Sequence, residues 1–446
     1  MSTDAPSVLL CSIPAHAHVT PLLAVASRLI DEGVAVRMLT GSRFRDVVTA
    51  TGAEFLPLPA DADYDDRRLN EEFPGRVGLT GIAQLKYDLA HMFLGAMPGQ
   101  VAALRAAVAE RPTDAVLAEP GFFGAPALAL DPRETRPPVV TLSLVPMAAP
   151  SLDVAPYGLG IQPLGGPVGR LRNRLLWAVI DKILMRDSRL LTTQTFERLT
   201  GHALPGPLFG IPTLADTFVQ FTVPAFEYPR SDLRGDVRFV GPMGRITPRT
   251  VHGDVVGLPE WWDDLDGHRL VHVTQGTIAN ADRTELIVPA IRGLAGEDLL
   301  VVVATGGRPV EAVEQAYGGP LPSNVRVAEY LPYDLLLPRV DAMVTNGGYG
   351  GVHAALSCGV PLVVSGRTED KMEVTARVAW SGAGVNLRRQ RPKPAAIARG
   401  VRRVLGDPSY RENSAAIGRD IAASGGAAEV VALVRELTGS RVGSAA

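Results

Sequence analysis

Short apolar runs alternate with amphipathic stretches along most of the chain. The segment Ser7–Ile13 (SVLLCSI) shows no polar alternation across its centre, which predicts a strand buried on both faces. A turn, Pro14–His18 (PAHAH), then leads into an amphipathic helix from Thr20, with apolar residues at helical spacing and Gly33 as its stop. A second strand, Val34–Thr40, follows directly. Two strands joined through a helix form a βαβ unit, the signature of a parallel, doubly wound sheet. The rhythm recurs as a helix over Pro98–Glu110, strand Asp114–Glu119, a small-residue helix Phe122–Leu130 and strand Val139–Leu144. It restarts with strand Arg269–Thr277, a helix near Glu285–Ala295, and strands at 299–305, 324–331, 342–346 and 360–366. The stretch Lys393–Thr438 is helical and rich in Ala and Arg. These restarts predict two α/β domains, residues 1–235 and 257–425, with a linker over 236–256 whose one strand is VRFVGPMG. A ligand is expected between the two sheets, at the carboxyl ends of their strands.

The bulk numbers narrow the function classes. The chain has 446 residues, with 44 Lys+Arg against 47 Asp+Glu and a net charge of −3. That balance argues against a nucleic-acid partner, which draws on clustered basic surface. Cys11 and Cys358 lie far apart and show no metal-ligand spacing, so neither a disulfide framework nor a structural zinc is expected. No uninterrupted apolar stretch reaches a membrane-spanning length, and a cytoplasmic protein without a stable membrane anchor is the expectation. The 46 Gly and 36 Pro residues exceed the usual combined share of about 12% and read as turns.

Several residues carry candidate chemistry. His18 lies at the cleft-facing end of the first strand, where a base with a pKa near working pH would serve, and His16 shares its turn. A turn histidine that merely caps the helix fits the same pattern. Glu119 ends a later strand of the same half and can orient a histidine through its second ring nitrogen; a solvated strand-end carboxylate or helix cap is the plainer reading. Thr274–Thr277 (TQGT) ends the first strand of the second half, where Gly276 permits close approach and Thr277 suits a phosphate. The strongest local feature is Thr345–Lys371, in which Gly347, Gly348, Gly350 and Gly351 stand between a strand and a helix and offer amides to an anion. The segment closes on Asp370 and Lys371, suited to sugar hydroxyls. The glycines do not make a GxGxxG fingerprint, which disfavours a dinucleotide oxidoreductase.

On PAHAHVTP, VTQGT and above all YLPYDLLLP…VTNGGYGGVHAALSCGVPLVV…TEDK, the chain resembles family 1 glycosyltransferases of the actinobacterial natural-product type. The resemblance implies a GT-B fold: two facing Rossmann-like domains with a cleft between them. Residues 1–235 would bind the acceptor, 257–425 the donor, and the tail 426–446 would pack back on the first domain. It implies that His18 deprotonates an acceptor hydroxyl with Glu119 as its partner, in place of the family's more usual Asp. It further implies an inverting, metal-independent hexosyltransferase with no cofactor, using a nucleotide sugar as co-substrate. UDP-glucose stands first as donor and a dTDP-sugar second. Tyr330 and Leu331 would meet the base, and Gly276, Thr277, Asn346 and the Gly347–Gly351 turn the diphosphate. Asp370 and Lys371 would read the sugar. The donor-binding stretch departs from the family as well: Asn346 stands for a His, Ala354 for an acid that holds the ribose, Lys371 for a Gln, and Gly350 and Gly351 for the frequent Asn and Ser. The acceptor, a small lipophilic molecule such as an aromatic, polyketide or macrolide, would meet Phe122, Phe123 and Met147. A monomer or homodimer is expected. A sugar-nucleotide epimerase and a non-catalytic sugar-nucleotide binder are the alternatives.

Overall fold

A computed structural model of the chain describes residues 5–243, 250–251, 254–255, 257–277 and 280–444. The first half carries seven strands: β1 (Ser7–Cys11), β2 (Ala35–Thr40), β3 (Glu54–Pro57), β4 (Ala115–Ala118), β5 (Val139–Ser143), β6 (Thr217–Gln220) and β7 (Asp236–Phe239). A small antiparallel ribbon of β8 (Thr250–Val251) and β9 (Asp254–Val255) follows. The second half carries β10 (Leu270–Thr274), β11 (Leu300–Ala304), β12 (Val325–Ala328), β13 (Ala342–Thr345), β14 (Leu362–Val364) and β15 (Gly384–Asn386).

Both large sheets are parallel throughout and share one topology. The first runs β3-β2-β1-β4-β5-β6-β7 and the second β12-β11-β10-β13-β14-β15. Each chain half starts in the middle, winds outward, then returns to the other side of its first strand. The strand order therefore reverses between β1 and β4, and again between β10 and β13. Loops diverge at such a point and leave a crevice at the strands' carboxyl ends. The register fixes what meets there: Cys11 pairs with Ala118, and Thr274 with Thr345. The loops after these residues leave their sheets side by side.

The continuous apolar runs are explained by burial on both faces. Val8 and Leu10 enter one core, whereas Leu9 and Cys11 enter another on the opposite side of the sheet. Each such side chain stabilises the fold by about 1.5–3 kcal/mol. The last helix, Ala427–Ser444, belongs to the first domain's core: Val430, Val431, Leu433 and Val434 pack with Val8 and Leu10. Arg238 and Arg435 tie it further, to Glu436 at 2.7 Å and from the helix to Glu32 at 2.9 Å.

Two details differ from the sequence expectation. The strand placed in the linker is β7, which pairs with β6 and carries the first sheet past residue 235. Its short, half-buried edge position hid that membership. Much of the remaining linker, including residues 244–249, lies outside the described residues. The first helix spans His16–Asp31, so it begins before Thr20 and places His18 within its first turn.

Candidate active site

The crevice of the first sheet brings together two residues 101 positions apart. His18 Nδ1 lies 2.7 Å from Glu119 Oε2. Glu119 follows β4 immediately, is buried, and also accepts the amides of Ile13 at 3.1 Å and Gly121 at 2.7 Å. Two fixed amides thus aim the carboxylate at the imidazole. An acceptor on Nδ1 keeps the proton there and turns the Nε2 lone pair outward. Among the described residues nothing hydrogen-bonds Nε2, and the His18 side chain keeps 31% of its surface exposed. Burial disfavours the imidazolium, but the Glu119 charge and hydrogen bond, with Asp370, outweigh it and raise the His18 pKa above the ordinary value of about 6.5. His16 is exposed and sits apart: its amide donates to Asp66 at 2.7 Å and its ring lies 3.3 Å from the Thr20 hydroxyl.

The facing crevice belongs to the second sheet. Gly347 follows β13 with φ +87°, and a Cβ there would lie 2.6 Å from Thr375 Cγ2, so the protein itself requires glycine. Gly348, Gly350 and Gly351 differ. None has a positive φ, and a Cβ would meet no atom closer than 4.0 Å. Gly348 precedes helix Tyr349–Ser357, and the other two lie in its first turn. Packing does not demand these glycines, yet they leave the helix's amides open at its positive end. Asn346 is buried, and its Nδ2 donates to the Gln275 carbonyl at 2.5 Å. This bond stitches the loop after β13 to the one after β10.

Gly276 lies in that neighbouring loop with φ +71°, and Thr277 is exposed beside it. Asn280 holds the loop's shape, donating to the carbonyls of Gly276, Thr305 and Gly306 at 2.9–3.0 Å. Tyr330 is half-buried and lies over Gly307, where a Cβ would come within 2.1 Å of the phenol oxygen. Leu331 buries its side chain in the second domain's core, leaving only its main chain for the crevice.

Asp370 joins the two crevices. It is close enough to His18 for each to shift the other's charge, and burial pushes its carboxyl up to about 6 despite Lys371 beside it. The preceding Glu369 has φ +56°, a left-handed conformation a non-glycine residue adopts at a cost of order 1–3 kcal/mol. Such strain at a loop tip is a feature of functional sites.

The structure places three predicted residues elsewhere. Phe122 is fully buried in the first domain's core with Leu9, Cys11 and Leu104, and does not face the crevice. Met147 is buried against Ala149 and Phe218, and its amide donates to Glu227. Lys371 is only 5% exposed and its ammonium is paired with Glu369, not presented to a ligand. Ala354 is buried in the second core. Phe123 is nearly buried, but its ring stacks at 5.6 Å on Phe93, which is more exposed and borders the Glu119–Gly121 turn. Tyr64 adds a phenol near Glu119. It is buried, its hydroxyl has no partner among the described residues, and it feels the Glu119 charge. The Gly306–Gly307 pair shortly after β11 is the sequence signal for the loop beneath Tyr330.

A second network clamps the domains together behind the site. Helix Lys371–Trp380, which starts directly after Asp370, carries the fully buried Arg377. Its guanidinium donates to Glu227 of the first domain at 2.6 Å and to Glu373 at 2.9 Å. Glu373 in turn accepts the amides of Gly158 and Gly160, both at 2.9 Å. Gln220 donates to the Tyr349 hydroxyl at 3.1 Å, and Thr222 meets His353 at 2.7 Å. The glycine-loop helix and the Asp370 helix are therefore both fixed relative to His18.

Comparison with known proteins now bears on this geometry. Residues 301–437 match the family model described as erythromycin biosynthesis protein CIII-like, C-terminal domain. The chain is 41% identical over 435 residues to 4'-demethylrebeccamycin synthase of Lentzea aerocolonigenes, covering 96% of this chain and 99% of that one. It is 35% identical to UDP-glycosyltransferase 2 of Phaeomoniella chlamydospora, over 93% of this chain and 91% of that protein. The calicheamicin glycosyltransferase CalG4 superposes with a TM-score of 0.71 at 21% identity, covering 98% and 99% of the two chains. The chain belongs to the family 1, UDP-glycosyltransferase-like glycosyltransferases of GT-B fold.

Proposed function

We propose that the protein is an inverting transferase that moves a sugar from a nucleotide donor to a hydroxyl of a small lipophilic natural product. The observation that carries this reading is the 2.7 Å His18–Glu119 pair, set opposite Asp370 and the open glycine turn. His18 Nε2 takes the proton of the acceptor hydroxyl as its oxygen attacks the anomeric carbon. The bond to the nucleoside diphosphate breaks on the opposite face, so the configuration inverts. Glu119 keeps the imidazole in the correct tautomer and stabilises the imidazolium as it forms. The open amides of the Gly347–Gly351 turn and the helix end beside them carry the leaving diphosphate charge, and no cofactor takes part. Phe93 and Phe123 offer apolar surface to the acceptor. Relatives named UDP-glucosyltransferase favour UDP-glucose ahead of a dTDP-sugar as donor, and the two free cysteines suit the cytoplasm.

Thermal-shift measurements with UDP-, dTDP- and GDP-sugars test the donor reading, and the expected outcome is a shift with a UDP- or dTDP-sugar. Absence of a shift with all three would sink it. The glycine turn gives a sharper prediction. Gly350→Ala removes a helix glycine where the protein has room for a methyl, so the apo protein should be as stable as the parent, or up to about 1 kcal/mol more so. Its affinity for the nucleoside diphosphate should nonetheless fall about tenfold, equivalent to about 1.4 kcal/mol. Unchanged affinity by calorimetry would show that the turn does not hold the donor.

The pH dependence follows from His18. Only the neutral imidazole accepts a proton, so kcat/KM should fall as pH drops through a value above about 6.5. Glu119→Gln removes the charge that raises this pKa, and the acidic limb should move to lower pH in a slower enzyme. Asp370→Asn should move it the same way. A limb that stays in place in both variants would show that His18 is not the titrating base.

A further inference from the structure

Helix Gly166–Val179, continued by a wider turn over Ile180–Leu184, has its apolar stripe on the outside. Val168, Leu171, Leu175, Val179 and Ile183 recur at helical spacing and are between 42% and 71% exposed. The opposite face is anchored: Asn173 donates to the Leu152 carbonyl at 2.9 Å, and Trp177 to those of Ser151 and Val154 at 3.1 Å. The helix therefore cannot turn its stripe inward. A continuous apolar face of this kind on a protein surface marks an interaction site.

The charge around the stripe selects the occupant. Residues 164–191 hold six Lys or Arg against two Asp, in a chain whose net charge is −3. Arg174, Lys182 and Arg186 have no ion-pair partner among the described residues. Two copies of this face meeting across a two-fold axis would set like charges together. An anionic lipid surface meets both requirements at once, since phosphates neutralise the cations and the interfacial region takes the Leu, Val and Ile side chains. We propose that this helix docks the protein reversibly on anionic membranes. The inference is independent of the transferase reading and requires no segment that crosses the bilayer.

Co-sedimentation of the full chain with vesicles tests it. The chain should bind vesicles of equal parts phosphatidylglycerol and phosphatidylcholine on the order of 100-fold more tightly than phosphatidylcholine alone. Binding should weaken as salt is raised. The triple variant L171E/L175E/I183E should lose binding to both vesicle types while keeping the parent's melting temperature, because all three side chains are already exposed. The variant R174E/K182E/R186E should lose the preference for anionic lipid. Failure of the parent to bind anionic vesicles, or equal binding by parent and triple variant, would overturn the proposal. So would elution at twice the chain mass that the triple variant abolishes, which would assign the stripe to a second copy.

Discussion

His18→Ala should slow sugar transfer about 10³-fold while leaving donor binding intact. A positioned general base contributes about 10²–10⁴-fold to a rate, and nothing else among the described residues stands ready to replace Nε2. His16 is on the same helix turn, but its ring lies 3.3 Å from the Thr20 hydroxyl and Glu119 is engaged by His18. A rate loss of about 10³-fold, with an unchanged calorimetric dissociation constant for the nucleoside diphosphate, is therefore expected. The pairing of the two readouts matters. The His18 crevice and the glycine turn belong to different sheets, so removing the base should not disturb the donor's amides. A variant transferring sugar at close to the parent's rate would remove His18 from the mechanism. One losing nucleotide affinity as well would place the imidazole in the donor site instead.

Arg377→Met should be the most damaging change to stability. Breaking a buried pair by removing one partner costs about 3–5 kcal/mol, because the other charge is left uncompensated. Here Glu227 and Glu373 would both be stranded, with their amide donors and Arg230 as partial compensation. Burial opposes ionisation of Glu227, but Arg377 and Arg230 outweigh it and hold its carboxyl below the ordinary range. A depressed folded pKa contributes stability that is fully present above the unfolded value of about 4.3, and that is lost as pH falls through the folded value. The parent should therefore lose the clamp on acidification, whereas Arg377→Met should show a lowered urea midpoint already at neutral pH. Its KM for the donor should rise too, since the same helix begins beside Asp370. An unchanged midpoint would mean that the Arg377 clamp contributes nothing to stability.

How much of this was legible beforehand depends on the physical origin of each signal. Strands buried on both faces show as apolar runs, unbroken in β1 and interrupted in β10 by the buried His272, and so both starts of the doubly wound pattern can be read. β3, β6 and β15 are three or four residues long with mixed polarity (EFLP, TFVQ, GVN), and depend on neighbours distant in sequence. Helix Lys371–Trp380 leaves little sequence pattern because its buried face includes Arg377 and Glu373, which bond to Glu227 and Gly158 of the first domain. Helix Gly166–Val179 was obscure for the opposite reason, as its apolar stripe faces solvent. His18, Glu119 and the glycine turn were legible because strand-end position alone brings them to the crevice. Phe122 and Met147 fill cores, and an aromatic or sulfur side chain near a crevice loop looks the same in sequence whether it lines a ligand or fills a core. The burial of Lys371 is not legible in sequence because its ion pair is made with Glu369, two residues away, and such local pairing leaves no pattern.

The most direct test of the account is product stereochemistry. The protein should be incubated with UDP-glucose or dTDP-glucose, both α-linked, and a panel of phenolic acceptors, with the anomeric coupling of the product read by proton NMR. Single displacement from the His18 side predicts a β-glycoside and one equivalent of nucleoside diphosphate. An α-glycoside, or an epimerised nucleotide sugar with the acceptor untouched, would contradict it.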